Sequence, residues 1–208
     1  MKSITRDSAV ARAILLHNSP QRFILGVVGK PGVGKSTFTD YLRDQLSNEL
    51  VAILPMDGFH MSNEKLIELG RRERKGAPDT FDVDDFAETL ANVRDSHGVD
   101  IRFPIFNREI EASIPNAGLV PAGVKLVIVE GNYLLHDQSG WEKIAIHLDE
   151  SWFLSVDDDL RMERLIARHI EFGKSPEDAK TWSQGTDEVN AKLIQLTQPR
   201  ADYEVKLD

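Results

Sequence analysis

The sequence predicts an α/β fold of three layers, a mainly parallel sheet flanked by helices and completed by a helical lid. Short apolar runs alternate along the chain with segments of helical periodicity, the pattern of parallel strands joined by helical crossovers. A glycine-rich turn over residues 29–34 stands between the first strong apolar run and an amphipathic helix. That strand–turn–helix order places a ligand crevice at the carboxyl ends of the strands. At 208 residues, one domain with a sizeable core is expected over the whole chain.

Taken in order, residues 1–20 space Ile4, Val10, Ala13 and Ile14 as a short amphipathic helix lying on the domain. Arg6, Asp7 and Arg12 interrupt the segment, so it does not read as a secretory signal. The first strand is Phe23–Val28, and a helix over residues 35–48 carries Phe38, Tyr41, Leu42 and Leu46 on one apolar face. A second strand covers residues 50–56. Residues 59–121 are polar, with little strand character outside 101–105, and are expected to form a substrate-facing subregion inserted between two core strands. Further strands are expected at 124–129, 152–156 and 203–207. Between the last two, residues 159–185 form the expected lid: a charged helix, then a second one begun by Ser175 as N-cap with Pro176 in its first turn. Gly173 and Gly185 punctuate it.

Composition narrows the function. The residues are 41% hydrophobic and 28% charged, as in ordinary globular proteins, with a formal net charge of −9. Such a charge opposes general binding to a nucleic-acid backbone. There is no cysteine, which excludes disulfides, thiolate catalysis and zinc–cysteine sites. No apolar run is long enough to span a membrane, and a cytoplasmic location is the expectation.

Gly29-Lys30-Pro31-Gly32-Val33-Gly34-Lys35-Ser36 matches G-x-x-x-x-G-K-[ST], the P-loop pattern, and Thr37 follows it. The glycines let successive backbone N–H groups turn inward around phosphates. Lys35 reaches the outer phosphates, Ser36 offers a hydroxyl to magnesium, and the next helix points its positive end at the same anion. ATP with Mg2+ is the expected ligand. The guanine-reading N-K-x-D pattern is missing, the nearest string being Asn190-Ala191-Lys192-Leu193.

Two acids stand at strand ends. Asp57 follows the second strand, where a carboxylate can accept the proton of an attacking hydroxyl. Glu130 follows the third, where an acid orients magnesium directly or through water. Arg161, Arg164 and Arg168 fall at i, i+3 and i+7, one helical face suited to a lid that neutralises phosphate charge. His60, three residues beyond Asp57, is a candidate hydrogen-bond partner for the acceptor. Arg71, Arg72, Arg74 and Lys75 form a basic run that suits either a solvated face or an acidic acceptor group.

The strings GKPGVGKST, PMDGFH, KGAPDTFD, FPIFNR, VIVEGNYLL and LRMERLIARH occur in this order. As an ordered set they resemble the uridine kinase, phosphoribulokinase and bacterial pantothenate kinase superfamily, over residues 22–207. Within it the chain most resembles small bacterial proteins labelled nucleoside/nucleotide kinase-like or fructose transport system kinase. The resemblance implies a P-loop NTPase fold and transfer of the terminal phosphoryl group of ATP to a small-molecule hydroxyl. It makes Asp57 the catalytic base and Arg161, Arg164 and Arg168 the lid arginines. It places Asp79 and Asp82 against the acceptor's hydroxyls, and Phe106, Asn107 and Arg108 among further acceptor-binding residues. It also lays residues 190–201, with Thr197 and Arg200, against adenine, and implies a monomer or homodimer.

Two departures bear on the acceptor. Uridine kinases carry Ser-Phe-Tyr after the acid, where this chain has Gly58-Phe59-His60, and Tyr-Asp where it has Phe106-Asn107. No aromatic pair for a nucleobase is apparent, so a sugar or related polyol-like metabolite is the expected acceptor. A nucleoside or pantothenate kinase is the alternative within the class. A nucleotide-dependent regulatory switch on the same fold is the alternative outside it.

Overall fold

The computed structural model describes residues 1–46, 50–96 and 98–207. The chain begins with β1 (Lys2–Thr5), α1 (Arg6–His17), β2 (Phe23–Val28), α2 (Lys35–Leu46) and β3 (Val51–Pro55). There follow α3 (Asn63–Glu68), α4 (Val83–Asp95), β4 (Ile101–Asn107), β5 (Ala112–Val120) and β6 (Leu126–Gly131). The last part comprises α5 (Glu142–Ala145), β7 (Glu150–Ser155), α6 (Asp158–Glu171), α7 (Pro176–Gln184), α8 (Thr186–Gln195) and β8 (Tyr203–Lys206). The central sheet has six strands in the order β1-β8-β7-β2-β6-β3, all parallel, and β4 with β5 forms a separate antiparallel hairpin.

Alternation along the strands explains the three layers. Ile24 and Val28 of β2, Val127 and Val129 of β6, and Phe153 of β7 face one core with Phe86, Leu90 and Val93 of α4 and Ile194 of α8. Leu25 and Val27, Leu126 and Ile128, and Trp152 and Leu154 face the opposite core with Ala9 and Ala13 of α1 and Phe38 and Leu42 of α2. Strands apolar on both faces need helices on both faces, as parallel sheets do.

Three expectations are corrected. Residues 2–5, expected within an N-terminal helix, are an edge strand whose register is set by the far end of the chain, with Ile4 opposite Val205. The inserted subregion holds a second strand, β5, which the sequence signal missed because Pro115, Asn116 and Gly118 interrupt it. The strand expected from residue 124 starts at Leu126, because Val124 still closes a turn with its N–H on the Pro121 carbonyl at 3.1 Å. The expected end of α2 at Asn48 lies outside the described residues.

Two close approaches position the site. Gly58, just after β3, runs so near the hairpin that a Cβ there would lie 1.9 Å from the Pro104 carbonyl oxygen. Gly32 has φ +84°, and a Cβ there would meet the Arg161 carbonyl oxygen at 2.7 Å and Leu165 Cβ at 3.0 Å. Helix α6 therefore lies directly on the glycine-rich loop at Gly32, closer than a side chain at that position would permit. Residues 76–80 are fastened to the core by Tyr133 Oη donating to the Gly76 carbonyl (2.7 Å) and Trp141 Nε1 donating to the Pro78 carbonyl (3.0 Å).

Candidate active site

All six core strands are parallel, so their carboxyl ends open onto one edge, where a cavity of about 880 Å³ lies. Glu130 is opposite Val27 of β2 on one side and Pro55 of β3 on the other, which sets it between the glycine-rich loop and Asp57. Pro31, Gly32, Gly34, Lys35, Ser36 and Thr37 line the cavity. In the first turn of α2 the Phe38 N–H donates to the Gly34 carbonyl at 2.9 Å, and the N–H groups before it have no intrahelical acceptors and so remain available to an anion. Lys35 Nζ donates to the Gly29 carbonyl at 2.9 Å and to Asn132 Oδ1, which fixes the ammonium over the loop.

Ser36 Oγ donates to Glu130 Oε1 at 2.9 Å, while Glu130 Oε2 is buried without a hydrogen-bond partner. Burial pushes the Glu130 carboxyl well above its usual range against the pull of Lys35 and the Ser36 hydroxyl. Burial likewise pushes Lys35 down, against the pull of Glu130 and Asp57. A hydroxyl and an unsatisfied buried carboxylate oxygen beside a phosphate cradle fit magnesium, which is commonly held by one or two carboxylates plus substrate phosphates. Among the described residues no group of three His, Cys, Asp or Glu side chains offers an all-protein metal cage.

Asp57 sits in the one-turn 3-10 helix Met56–Phe59. It keeps 33% of its side-chain surface, which borders the cavity. Withdrawal from bulk water alone would raise its pKa. His60, Arg108, Lys35 and Arg168 outweigh that and hold the carboxyl below the usual range. Arg108 Nη2 donates to Asp57 Oδ2 at 2.9 Å, so the tip of the hairpin is tied to this acid. His60 packs between Phe81 (4.0 Å between ring centroids) and Phe106 (4.8 Å), with Nδ1 2.8 Å from the Asp57 carbonyl oxygen. Burial lowers the His60 pKa, keeping the ring neutral.

Arg164 and Arg168 of α6 line the cavity and, among the described residues, make no hydrogen bond or ion pair. Burial and the neighbouring Arg108 lower the Arg168 pKa against the pull of Asp57 and Asp187.

Other expected residues have structural work instead. Arg161 is 2% exposed and donates to the Pro31 carbonyl (3.2 Å), Asp158 Oδ1 (2.8 Å) and Glu188 Oε2 (2.7 Å). It shares a helical face with Arg168 but lies two turns nearer the N-terminus of α6, under the loop, so it clamps the loop and does not reach the cavity. Lys30 pairs with Asp158, Val33 is fully buried and Gly29 packs against Val33 and Leu154, so these three support the cradle from beneath. Asp79 is bracketed by Arg74 (Nη1 at 2.7 Å) and Arg71 (3.3 Å). Asp82 caps α4 through the Asp85 N–H at 3.0 Å and borders a smaller neighbouring cavity. Asn107 Oδ1 accepts the Glu109 N–H at 2.9 Å and shapes the hairpin turn. Neither Asp79, Asp82 nor Asn107 lines the main cavity, whereas His60, Phe106 and Arg108 do. Thr197 caps Ile194 inside the core and Arg200 bonds the Leu135 carbonyl at 2.9 Å, so the stretch expected against adenine is engaged within the protein.

Arg72 and Lys75 of the basic run line the cavity, and cavity residues that sequence reasoning gave no role include Asn132, Phe81 and Phe172. Asn132 had a readable signal, since it stands two residues past Glu130 at a strand end. The others come to the site only through the folding of the insert and the lid.

Comparison with known proteins agrees with this geometry. Residues 24–203 match the sequence profile of the Phosphoribulokinase / Uridine kinase family. The chain belongs to that family. Among its relatives is "Uncharacterized protein YggC" of Escherichia coli, 36% identical over 195 residues covering 91% of this chain and 80% of that protein. A pantothenate kinase of Streptococcus pneumoniae is 33% identical over 172 residues, covering 74% of this chain and 56% of the enzyme. The crystal structure of a "putative fructose transport system kinase" from Silicibacter aligns at TM-score 0.86 with 31% identity, covering 97% of this chain and 99% of the other. As a member of the phosphoribulokinase/uridine kinase family the chain is a P-loop kinase, and family membership implies ATP as its phosphoryl donor.

Proposed function

We propose that this kinase transfers the γ-phosphoryl group of Mg-ATP to an alcohol hydroxyl of a small molecule, a sugar or related polyol-like metabolite. The observation that carries the reading is the placement of Asp57: an ionised carboxylate at the cavity floor, within the field of Lys35 and tied to the hairpin by Arg108. The N–H groups of the cradle and Lys35 hold the phosphates. Ser36 and Glu130 are the residues that would hold magnesium, which supplies charge neutralisation at the β- and γ-oxygens when bound. Asp57 accepts the acceptor's hydroxyl proton at a carboxylate oxygen as the oxygen attacks phosphorus in line. Arg164 and Arg168 balance the charge of the transferring group.

The aromatic side chains support a polyol-like acceptor over a nucleobase. Phe106 has His60 on one side and Lys75 Nζ 5.1 Å from its ring, and Phe81 is enclosed by His60, Tyr133 and Trp141. Phe172 and Trp182 also line the cavity, with Arg108 6.0 Å from the first ring and Lys174 4.4 Å from the second, so each aromatic group there already has a ring or cation beside it and recognition falls to polar groups. ADP release with Mg-ATP over a panel of sugars, nucleosides, pantothenate and small alcohols tests the reading. One class of hydroxyl compound is expected to raise the rate at least tenfold over the acceptor-free rate. Slow hydrolysis indifferent to every compound would instead mark a nucleotide switch.

A further inference from the structure

The acceptor side of the cavity gathers three cations, Arg72, Lys75 and Arg108, beside three acids, Glu73, Glu109 and Glu111, a cluster that neither the cradle nor the base explains. A chain of contacts leads from Asp57 to His60, from His60 to Phe106, and from Phe106 to Lys75. Arg72 and Lys75 come from the turn after α3 and Arg108 from the hairpin tip, and all three line the cavity. They converge in a protein of net charge −9. Burial and the neighbouring Arg72 lower the Lys75 pKa against the pull of Glu111, so like charges are being held together. Their present partners belong to the hairpin turn and to α3. Arg72 Nη2 donates to Glu111 Oε2 at 2.8 Å, and Lys75 Nζ donates to the Glu111 carbonyl and to Asn63 Oδ1, each at 2.7 Å. Glu111 holds φ +48°, a backbone region costly for a non-glycine residue.

Resting on the phosphotransferase reading above, we infer that the acceptor carries an anionic group, a phosphomonoester or a carboxylate, which binds Arg72, Lys75 and Arg108 and takes over from the Glu111 carboxylate its contact with Arg72. Charge-assisted hydrogen bonds from guanidinium and ammonium groups suit either oxyanion. Arg108 then links recognition to chemistry, because the guanidinium that meets the anion also contacts Asp57.

Equilibrium binding is measured with Mg-AMP-PNP saturating the cradle, using paired probes: D-fructose 6-phosphate against D-fructose, and D-glycerate against glycerol. At least a tenfold preference for one anionic member is expected, and which pair shows it separates phosphomonoester from carboxylate. Lys75→Met, which removes the ammonium from beside Phe106 at similar side-chain length, and Arg72→Gln should each bring that ratio below about threefold. Glu111→Gln should raise it, a change of opposite sign that structural damage would not produce. Equal or weaker binding of both anionic members than of their neutral partners overturns the inference. Anion-selective binding without phosphoryl transfer upholds the inference and overturns the kinase assignment for these acceptors. Transfer to the neutral members alone does the reverse.

Discussion

At the scale of single residues, the site divides side chains of one type by where the fold places them. Three arginines share a helical face in the sequence, yet Arg161 is buried under the loop with three hydrogen bonds while Arg164 and Arg168 border the cavity. Arg161→Met is expected to lower stability by about 2 kcal/mol, below the usual cost of breaking a buried pair because Asp158 is largely exposed. Its melting temperature should fall by several degrees. Arg168→Met should leave the melting temperature nearly unchanged and lower kcat by about 10²-fold. Differential scanning calorimetry and steady-state kinetics on the two variants check the division. Asp57 supplies a pH prediction. The base must be ionised to act, and its folded pKa is depressed, so both its stabilising charge and its activity persist as pH falls past the ordinary carboxylate value of about 4. They are lost only as pH passes the lower folded pKa. Arg108→Met removes one cause of the depression, so the acid limb of the kcat/KM profile should move upward. An unmoved limb would show that Arg108 does not set the charge of Asp57. The sequence could place Asp57 and Glu130 because each stands at a readable strand end, and Lys35 and Ser36 because the glycine spacing marks the loop. It could not separate Arg161 from its neighbours, nor foresee that Arg71 and Arg74 bracket Asp79, because both depend on which segment lies against which.

At the scale of elements, the hairpin is the part least legible in the sequence and the one that completes the acceptor side. Its β4 strand was partly visible as an apolar run, but β5 is broken by Pro115, Asn116 and Gly118, and half its residues are exposed. Gly58 stands where the resembling kinases carry serine, and the structure supplies the reason: the Pro104 carbonyl occupies the space of a side chain. Gly58→Ala should therefore push β4 away from the turn that bears Asp57. The expected result is a marked loss of stability together with a raised acceptor KM, and normal stability in that variant would contradict the close approach. The lid is more legible. The N-caps of α6 and α7, Asp157 and Ser175, follow the sequence rules, and Gly173 ends α6 with φ +94°. What the rules do not give is the seating of α6 on the loop, which needs Gly32.

At the scale of the whole molecule, the parallel sheet and the cradle could be read because both faces of each central strand are apolar and because the loop has a fixed spacing of glycines. The edge strand β1 could not, since Lys-Ser-Ile-Thr is polar and pairs with a strand some 200 positions away in the chain. Among the described residues the fold concentrates groups without partners at one edge: the buried Glu130 oxygen, N–H groups of the first turn of α2 and the side chains of Arg164 and Arg168. Mg-ATP at about 100 times its Kd should stabilise the protein by about 2.7 kcal/mol, a rise in melting temperature of roughly 5–10 °C for a domain of this size. Glu130→Gln should remove most of the magnesium-dependent part of that rise. The central claim is that Asp57 takes the acceptor's proton in transfer from a P-loop nucleotide. Its most direct test is turnover of Asp57→Asn beside the unaltered protein, at saturating Mg-ATP and the best acceptor of the panel, with nucleotide affinity measured in parallel. The account predicts a fall in kcat of about 10²–10⁴-fold with ATP binding retained, and turnover left essentially intact in the variant would contradict it.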